Sequence, residues 1–402
     1  MRASPGGSYD LIILGAGCAG LSLCHYLREA GYEGRILVLD RKPTFEDDRT
    51  WSFWDVEPTP FSHLATARWN AWTVVTDRET QLSGSSAHPY LSLRAIDFYE
   101  DCLRRFEGDP RLEIVLGETV LRCEEVDGGV LVLTDRAEYD AGHVFDARGL
   151  HAGSSEFAVL REKSVWVPQH FLGQRIKASR AVFDESVCTL MDFGVSQDRG
   201  VHFMYLLPST PQECLVENVY FSFAKVDADT HREEIRAFLR DTYHLRDDEY
   251  QVEHEERGFI PMSDHPFTGS NGPRMRAVGT LAGATRPSTG YAFLRIQREC
   301  GAVAARFALG TPPVRRVGEQ RRRLLDAIFL RFMTERPREL PALYLRMFER
   351  VPTENLIRFM TERSSVADEF RLILALPKRP FIGIVLRMLA SRIAHPKGWK
   401  AT

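Results

Sequence analysis

Asp10-Leu11-Ile12-Ile13-Leu14-Gly15-Ala16-Gly17-Cys18-Ala19-Gly20 is the stretch that decides the fold. The aliphatic run predicts a strand buried on both faces, and Gly-x-Gly-x-x-Gly follows it at once. Leu21, Leu23, Cys24 and Leu27 then fall at helical spacing through about Ala30, with Gly31 placed to end the helix. A second strand, Arg35-Ile36-Leu37-Val38-Leu39, ends in Asp40, twenty residues after the last glycine. Together these features predict a dinucleotide site. The glycines let backbone N–H groups approach a pyrophosphate at a helix N-terminus, and the acid accepts hydrogen bonds from a ribose. Gly15, Gly17, Gly20 and Asp40 are therefore cofactor-binding candidates.

Later segments favour FAD over NAD, as does the position of the motif at the very start of the chain. Val144-Phe145-Asp146-Ala147-Arg148-Gly149 reads as a short strand and turn returning to the same domain. Arg276-Ala277-Val278-Gly279-Thr280 predicts another strand. It leads into the loop Leu281 to Tyr291, which contains Gly283, Thr289 and Gly290, and then a helix from about Ala292. A glycine-rich loop opening a helix offers a second contact for a flavin or an anion. Asp146, Gly149, Gly279, Gly283, Thr289 and Gly290 join the candidates.

The 402 residues are 44% hydrophobic and 27% charged, which excludes a disordered or fibrous chain and predicts two or three structural units. The net charge of −3 hides an asymmetry. Residues 315–402 hold 19 Lys/Arg against 9 Asp/Glu, an excess of ten positive charges over an acidic body. Seven scattered cysteines without a C-x-x-C pair predict reduced thiols in a cytosolic compartment. No signal peptide is expected, and the run Phe381 to Leu386 is too short to span a bilayer. There is no H-E-x-x-H and no Cys/His cluster, so no metal site is predicted. No nucleic-acid motif accompanies the basic tail.

Residues 200–207 and 214–223 alternate like a hairpin. On the second strand, Leu215, Glu217, Val219, Phe221 and Phe223 share one face, and Asn218 lies on the other. Glu217 thus falls among apolar side chains, where desolvation favours a neutral carboxyl able to donate a proton. The alternatives are a buried Glu paired with an arginine, or an edge strand with a wet face. Four of six tryptophans, Trp51, Trp54, Trp69 and Trp72, cluster with Phe53 and Phe61. They predict core packing, an apolar slot whose rings stabilise a cation, or both. Residues 91–106 read as a helix opening at Ser92. From Val314 onward the pattern is helical, divided by Pro337, Pro341, Pro352, Pro377 and Pro380. It is expected to form either a cap with a solvated basic face or a surface that docks on anionic lipid.

The chain resembles the flavin-dependent lycopene cyclases of carotenoid synthesis. The likeness runs from residue 9 to about 390. It rests on Asp48-Arg49-Thr50-Trp51-Ser52-Phe53-Trp54, on Glu217 within Leu215 to Ser222, on Gly258-Phe259-Ile260-Pro261-Met262, and on Arg286-Pro287-Ser288-Thr289-Gly290-Tyr291. The tail fits as well, with Leu356-Ile357-Arg358-Phe359-Met360 and Asp368. The resemblance implies an α/β fold, with a Rossmann-like FAD-binding domain of the p-hydroxybenzoate hydroxylase and glutathione reductase type, a β-rich substrate domain and a C-terminal helical segment. The ranges expected are 8–78, 140–160 and 272–312 for FAD, 79–139 and 161–271 for the substrate cavity, and 313–402 for a basic helical part that is a candidate for membrane association. The resemblance also implies a non-redox cyclisation of lycopene or a related acyclic carotenoid. Glu217 would be the catalytic acid, Arg49 would join the cofactor set, reduced FAD would be the cofactor and NAD(P)H its reductant. A cytoplasmic enzyme peripheral to a membrane is expected.

Two positions depart from pattern. Asn218 stands where the family commonly has a second carboxylate, leaving Glu217 as the single acid expected at the site. Thr280 stands where flavoprotein hydroxylases carry Asp. The competing expectations are an FAD-dependent monooxygenase or isoprenoid reductase, and a carotenoid- or flavin-binding protein without turnover.

Overall fold

The computed structural model describes residues 4–150, 154–267, 272–311 and 319–394. The expected helical start at Val314 lies outside them, as do parts of the expected domain ranges.

The opening strand Ser4–Leu14 is central in a seven-stranded sheet. It pairs in parallel with Ile36–Asp40 on one side and Ala137–Asp146 on the other. Leu11 to Leu14 are fully buried, as a strand covered on both faces requires. The helices Cys18–Glu29 and Phe293–Ala308 pack together on one face, where Cys300, Ala304, Leu23 and Leu27 join one core. Leu112–Leu116 extends the sheet at one edge, and the antiparallel Val120–Val126 and Gly129–Thr134 extend it at the other.

A second seven-stranded sheet runs in the order Tyr250–Ser263, Trp166–Ala178, Glu213–Phe221, Val201–Pro208, Val187–Asp192, Ala71–Val75 and Thr80–Gly84. Its long strands alternate. Leu172, Ile176, Met204, Leu206, Cys214 and Val216 face the helix Ala228–Tyr243 through Ile235, Phe238 and Leu239. Leu215, Val219, Phe221, Val201 and Phe203 face the core that contains the glycine-loop helix. A small sheet of Thr50–Trp54, Tyr90–Arg94 and Ala67–Trp69 lies in the same core.

Sheet membership divides the chain differently from the expected ranges. Residues 112–134, expected with the cavity inserts, belong to the first sheet, and residues 71–75, expected in the FAD part, belong to the second. Alternation tells that a segment is a strand; it does not tell which sheet receives it. The expected helix 91–106 is also corrected. Tyr90–Arg94 is a strand and the helix is Ala95–Phe106. Leu91, Ser92 and Leu93 are all buried between neighbouring strands, so their spacing matched a helix only by accident at the junction.

Among the described residues, five α-helices follow: Glu319–Glu335, Leu340–Arg350, Thr353–Met360, Val366–Ala375 and Lys378–Ala394. Pro337, Pro352 and Pro377 fall between them, while Pro341 and Pro380 sit in first turns, where no N–H is missed. Among the described residues, no helix is long and apolar enough to cross a membrane.

Candidate functional site

The glycine loop divides its labour by position. Gly15 takes φ +103°, and a Cβ there would meet Ala147 O at 2.9 Å. A Cβ on Gly20 would sit 1.9 Å from Gly15 O, so only glycine lets the helix start this close to the strand. Gly17 caps the Cys18–Glu29 helix without a side-chain partner for its N–H groups, and the space in front of it is open. That is the approach a pyrophosphate needs. Asp40 ends its strand as expected, but its oxygens accept from Ala16 N at 2.7 Å and Lys42 N at 2.8 Å. It braces the loop and keeps lone pairs free for a ribose.

Of the other candidates, Asp146, the turn at Gly149 and Gly279 lie near the same loop. Asp146 is buried and holds Arg148 through three hydrogen bonds, two from the guanidinium and one from its backbone N–H. Gly149 packs on Thr280 Oγ1, which accepts Leu150 N–H at 3.2 Å. Thr280 therefore fixes the turn after Asp146. The expected strand at 276–280 is only Met275–Ala277, followed by a single turn Gly279–Ala282. A Cβ on Gly279 would sit 2.5 Å from Ala19 Cβ, which seats this turn on the glycine-loop helix. Gly283 ends the turn with φ +83°. Thr289 and Gly290 close back on Arg286 O, ahead of the Phe293–Ala308 helix. Arg286 is buried against Asp326 and Phe359, tying the loop to the C-terminal helices. Arg49 is exposed and donates to Arg257 O at 2.7 Å, on the strand that carries Glu256.

Glu217 is 7% exposed and lies on the core face of the second sheet. Its cross-strand neighbours are Gly173 on one side and Tyr205 on the other, and beyond Gly173 in the same row stands Glu256. A Cβ at residue 173 would meet Glu217 Cγ at 2.9 Å and Glu256 Cγ at 3.3 Å. Glycine thus leaves the gap in which the two carboxyls hydrogen-bond. Burial pushes the Glu217 carboxyl well above the usual range, and the Glu256 charge and hydrogen bond push it further. Burial raises Glu256 as well, opposed by Thr50, whose hydroxyl donates to Glu256 Oε2 at 2.7 Å. Two buried carboxyls this close disfavour the doubly charged state, which favours the protonated form of Glu217.

The sequence reading missed Glu256. It expected one acid because position 218 is Asn. The structure shows that position 218 faces away: Asn218 hydrogen-bonds His202 Nε2 at 2.8 Å and Glu234 Oε2 at 2.8 Å, on the side of the sheet covered by Ala228–Tyr243. Adjacent strand residues cannot share a face. The second carboxylate comes from another strand, four residues before Ile260-Pro261-Met262. Its position on the apolar-facing row was the available signal.

Two contacts join this acid to the flavin-candidate loop. Gly290 abuts Gln169, whose Oε1 is buried without a donor and lies on the same sheet face as Glu217. Tyr291 and Tyr205 each lie 2.9 Å from the Tyr90 hydroxyl, giving a three-hydroxyl chain that ends beside Glu217. Burial raises all three phenols, so they stay neutral. Trp54 packs on Tyr90 at 4.7 Å, Tyr291 at 5.6 Å and Trp72 at 5.7 Å. Trp69 donates to Pro208 O at 3.1 Å. Trp51 instead packs on Phe98 and Phe293. Trp54, Trp69 and Trp72 therefore wall this region, all three fully buried. A small cleft between Ser52, Phe53, Trp54 and the start of the Phe293–Ala308 helix adjoins Tyr291. Among the described residues, no group of His, Cys, Asp and Glu could hold a metal ion.

Residues 10–386 match the family model described as lycopene cyclase protein. The chain is 26% identical to a lycopene beta-cyclase of Pseudescherichia vulneris, over 92% of this chain and 95% of that one. It is 27% identical to a lycopene beta-cyclase of a Paracoccus species, over 96% and 98%. Among solved structures it resembles a geranylgeranyl bacteriochlorophyll reductase-like protein of Thermoplasma acidophilum, with TM-score 0.60, 12% identity, 96% of this chain and 100% of that one. It also resembles the flavin-dependent monooxygenase PieE, solved with FAD and substrate, with TM-score 0.56, 15% identity, 98% and 73%.

Proposed function

Because the chain belongs to the lycopene cyclase family, we propose that it closes the ψ end or ends of lycopene into β-ionone rings, with Glu217 as the proton donor. The carrying observation is the Glu217–Glu256 pair, buried on an apolar sheet face beside the Tyr291 loop. In its neutral form Glu217 donates to the terminal double bond, leaving a tertiary cation. The neighbouring double bond attacks that cation and closes the ring, and loss of a ring proton restores an alkene. Glu217, now a carboxylate, is the base nearest at hand to recover a proton. With Glu256 anionic the pair goes from one negative charge to two on donation, the added charge is matched by the cation, and the returning ring proton restores the starting state. The tryptophan and tyrosine rings exclude water and offer their faces to the cation. Substrate and product are isomers, so no electrons are consumed and the enzyme is an isomerase.

The open face at Gly17, the uncapped helix N-terminus, Asp40 and the orphan acceptor Gln169 suit FAD. Bound FAD, kept reduced by NAD(P)H, would supply negative charge that lowers the barrier to cation formation. Gly15, Gly17, Gly20 and Asp40 would hold its dinucleotide part, while Asp146, Gly149, Gly279, Gly283, Thr289 and Gly290 would line the rest, with Arg49 further out. The enzyme works at the cytoplasmic surface of the membrane that stores its substrate, consistent with seven free cysteines and an apolar, basic C-terminal part.

Expression in lycopene-accumulating bacteria tests the assignment. Conversion of lycopene to γ- or β-carotene is expected. Unchanged lycopene, or NADPH consumed one-to-one with an altered product, would overturn it.

A further inference from the structure

Large apolar side chains remain exposed in a narrow part of the chain. On the Val366–Ala375 helix they are Val366, Phe370, Ile373 and Leu374, all about half exposed or more. On the Lys378–Ala394 helix they are Ile382, Leu386 and Leu389. The spacings 366, 370, 373, 374 and 382, 386, 389 each define one helix face. Apolar side chains concentrated in this way on consecutive helices mark a contact surface rather than scattered exposure.

The charges beside them are mostly positive. Arg371, Lys378, Arg379 and Arg387 are exposed. The acids of the first helix, Asp368 and Glu369, are buried, bound by Arg358 and Arg321. The second helix contains no acid. An apolar stripe edged mainly by guanidinium and ammonium groups, with Glu335 already paired to Arg387, fits the headgroup boundary of an anionic leaflet. There the rings and aliphatic chains enter and the cations reach up to phosphates. A second copy of this surface would set cations against cations.

We propose that the outer faces of these two helices insert into one leaflet of an anionic membrane and hold the enzyme there. The reactive groups stay in the water-soluble body, and the bunched Arg321-Arg322-Arg323, which the charge pattern alone would favour, are secondary. Arg321 is engaged by buried Glu369. The proposal rests on the cyclase reading only for the nature of the substrate.

The test is liposome flotation of the purified full chain. Vesicles of phosphatidylcholine alone are compared with vesicles containing about one third phosphatidylglycerol. The wild type should float with the anionic vesicles. Phe370→Ser combined with Leu386→Ser should weaken binding at least about tenfold. Arg371→Glu with Arg379→Glu should abolish the preference for anionic lipid, at about fivefold per charge removed. Circular dichroism and Tm establish that each variant is folded, and light scattering reports its oligomeric state. Flotation unchanged in the Ser variant, no flotation of the wild type, or a wild-type dimer that the Ser variant makes monomeric without changing flotation would each overturn the proposal. Turnover of detergent-solubilised lycopene separates the two ideas. The Ser variant should keep it, whereas a wild type that floats but never cyclises lycopene would sink the functional reading alone.

Discussion

Gly173→Ala probes the carboxyl pair without touching either carboxyl. The new Cβ would lie 2.9 Å from Glu217 Cγ and 3.3 Å from Glu256 Cγ, where ordinary contact begins at 3.4 Å. Glu217 must retreat by about half an ångström and Glu256 by about a tenth. An O–H···O bond spans roughly 2.5–3.0 Å, so a separation increased by about 0.6 Å removes it. Displacements near 1 Å cost reactions about 100-fold. The variant should therefore lose roughly 10- to 100-fold in kcat, with KM and bound FAD little changed and stability lowered by about 1–3 kcal/mol. The pH profile gives a second sign. Glu217 must be protonated to act, so activity falls as pH rises through its pKa. With the hydrogen bond lost that pKa drops, although burial still holds it above the ordinary value, and the alkaline limb moves to lower pH. Rates are measured on detergent-solubilised lycopene with reduced flavin. A variant within about twofold of wild type, with the same alkaline limb, would refute the role given to the pair.

Glu256→Gln should move the alkaline limb in the same direction by removing the neighbouring charge, with kcat down about 10- to 100-fold near neutral pH; an unmoved limb would show that burial alone sets Glu217. Asn218→Asp should leave turnover unchanged, since the side chain faces Glu234 and His202, but should cost about 1–3 kcal/mol in urea unfolding through the lost donor and added like charge; higher activity would mean that position 218 reaches the site. Acid should destabilise the second sheet. His170, His202 and His231 are held below the usual histidine value chiefly by burial, His231 at about 4. For His231 the unfolded chain then binds more protons between about pH 6.5 and 4, so its stabilisation is complete above that window and lost as pH falls through it, and His170 and His202 act in the same direction. Glu217 acts oppositely, its raised pKa removing stability as pH rises above about 4.5. Tm should fall by at least about 3 °C from pH 7 to 5, and His231→Asn should flatten the slope; a Tm independent of pH would contradict this.

Much of the fold was legible because its signals are local. The strand, glycine loop, helix and acid of residues 10–40 lie within one stretch, and the structure places all of them where the spacing predicts. The 201–221 hairpin and the face of Glu217 followed from a period of two. What escaped notice is non-local. Glu256 meets Glu217 only because Gly173 separates their strands in the sheet, and no spacing in sequence records that row. The sheet joined by residues 71–75 and 112–134, and the chain Tyr90–Tyr205–Tyr291, are products of tertiary pairing. The basic tail was visible as a count. That its acids are buried and its apolar faces exposed depends on the packing of helices on helices.

The most direct measurement is turnover of lycopene by purified, FAD-loaded wild type and Glu217→Gln under identical reducing conditions. The amide fills the same space and cannot donate an acidic proton. The account predicts equal FAD content and unfolding midpoints, steady formation of β- or γ-carotene by the wild type, and turnover at least about 100-fold lower in the variant. A variant that cyclises lycopene at the wild-type rate would contradict it.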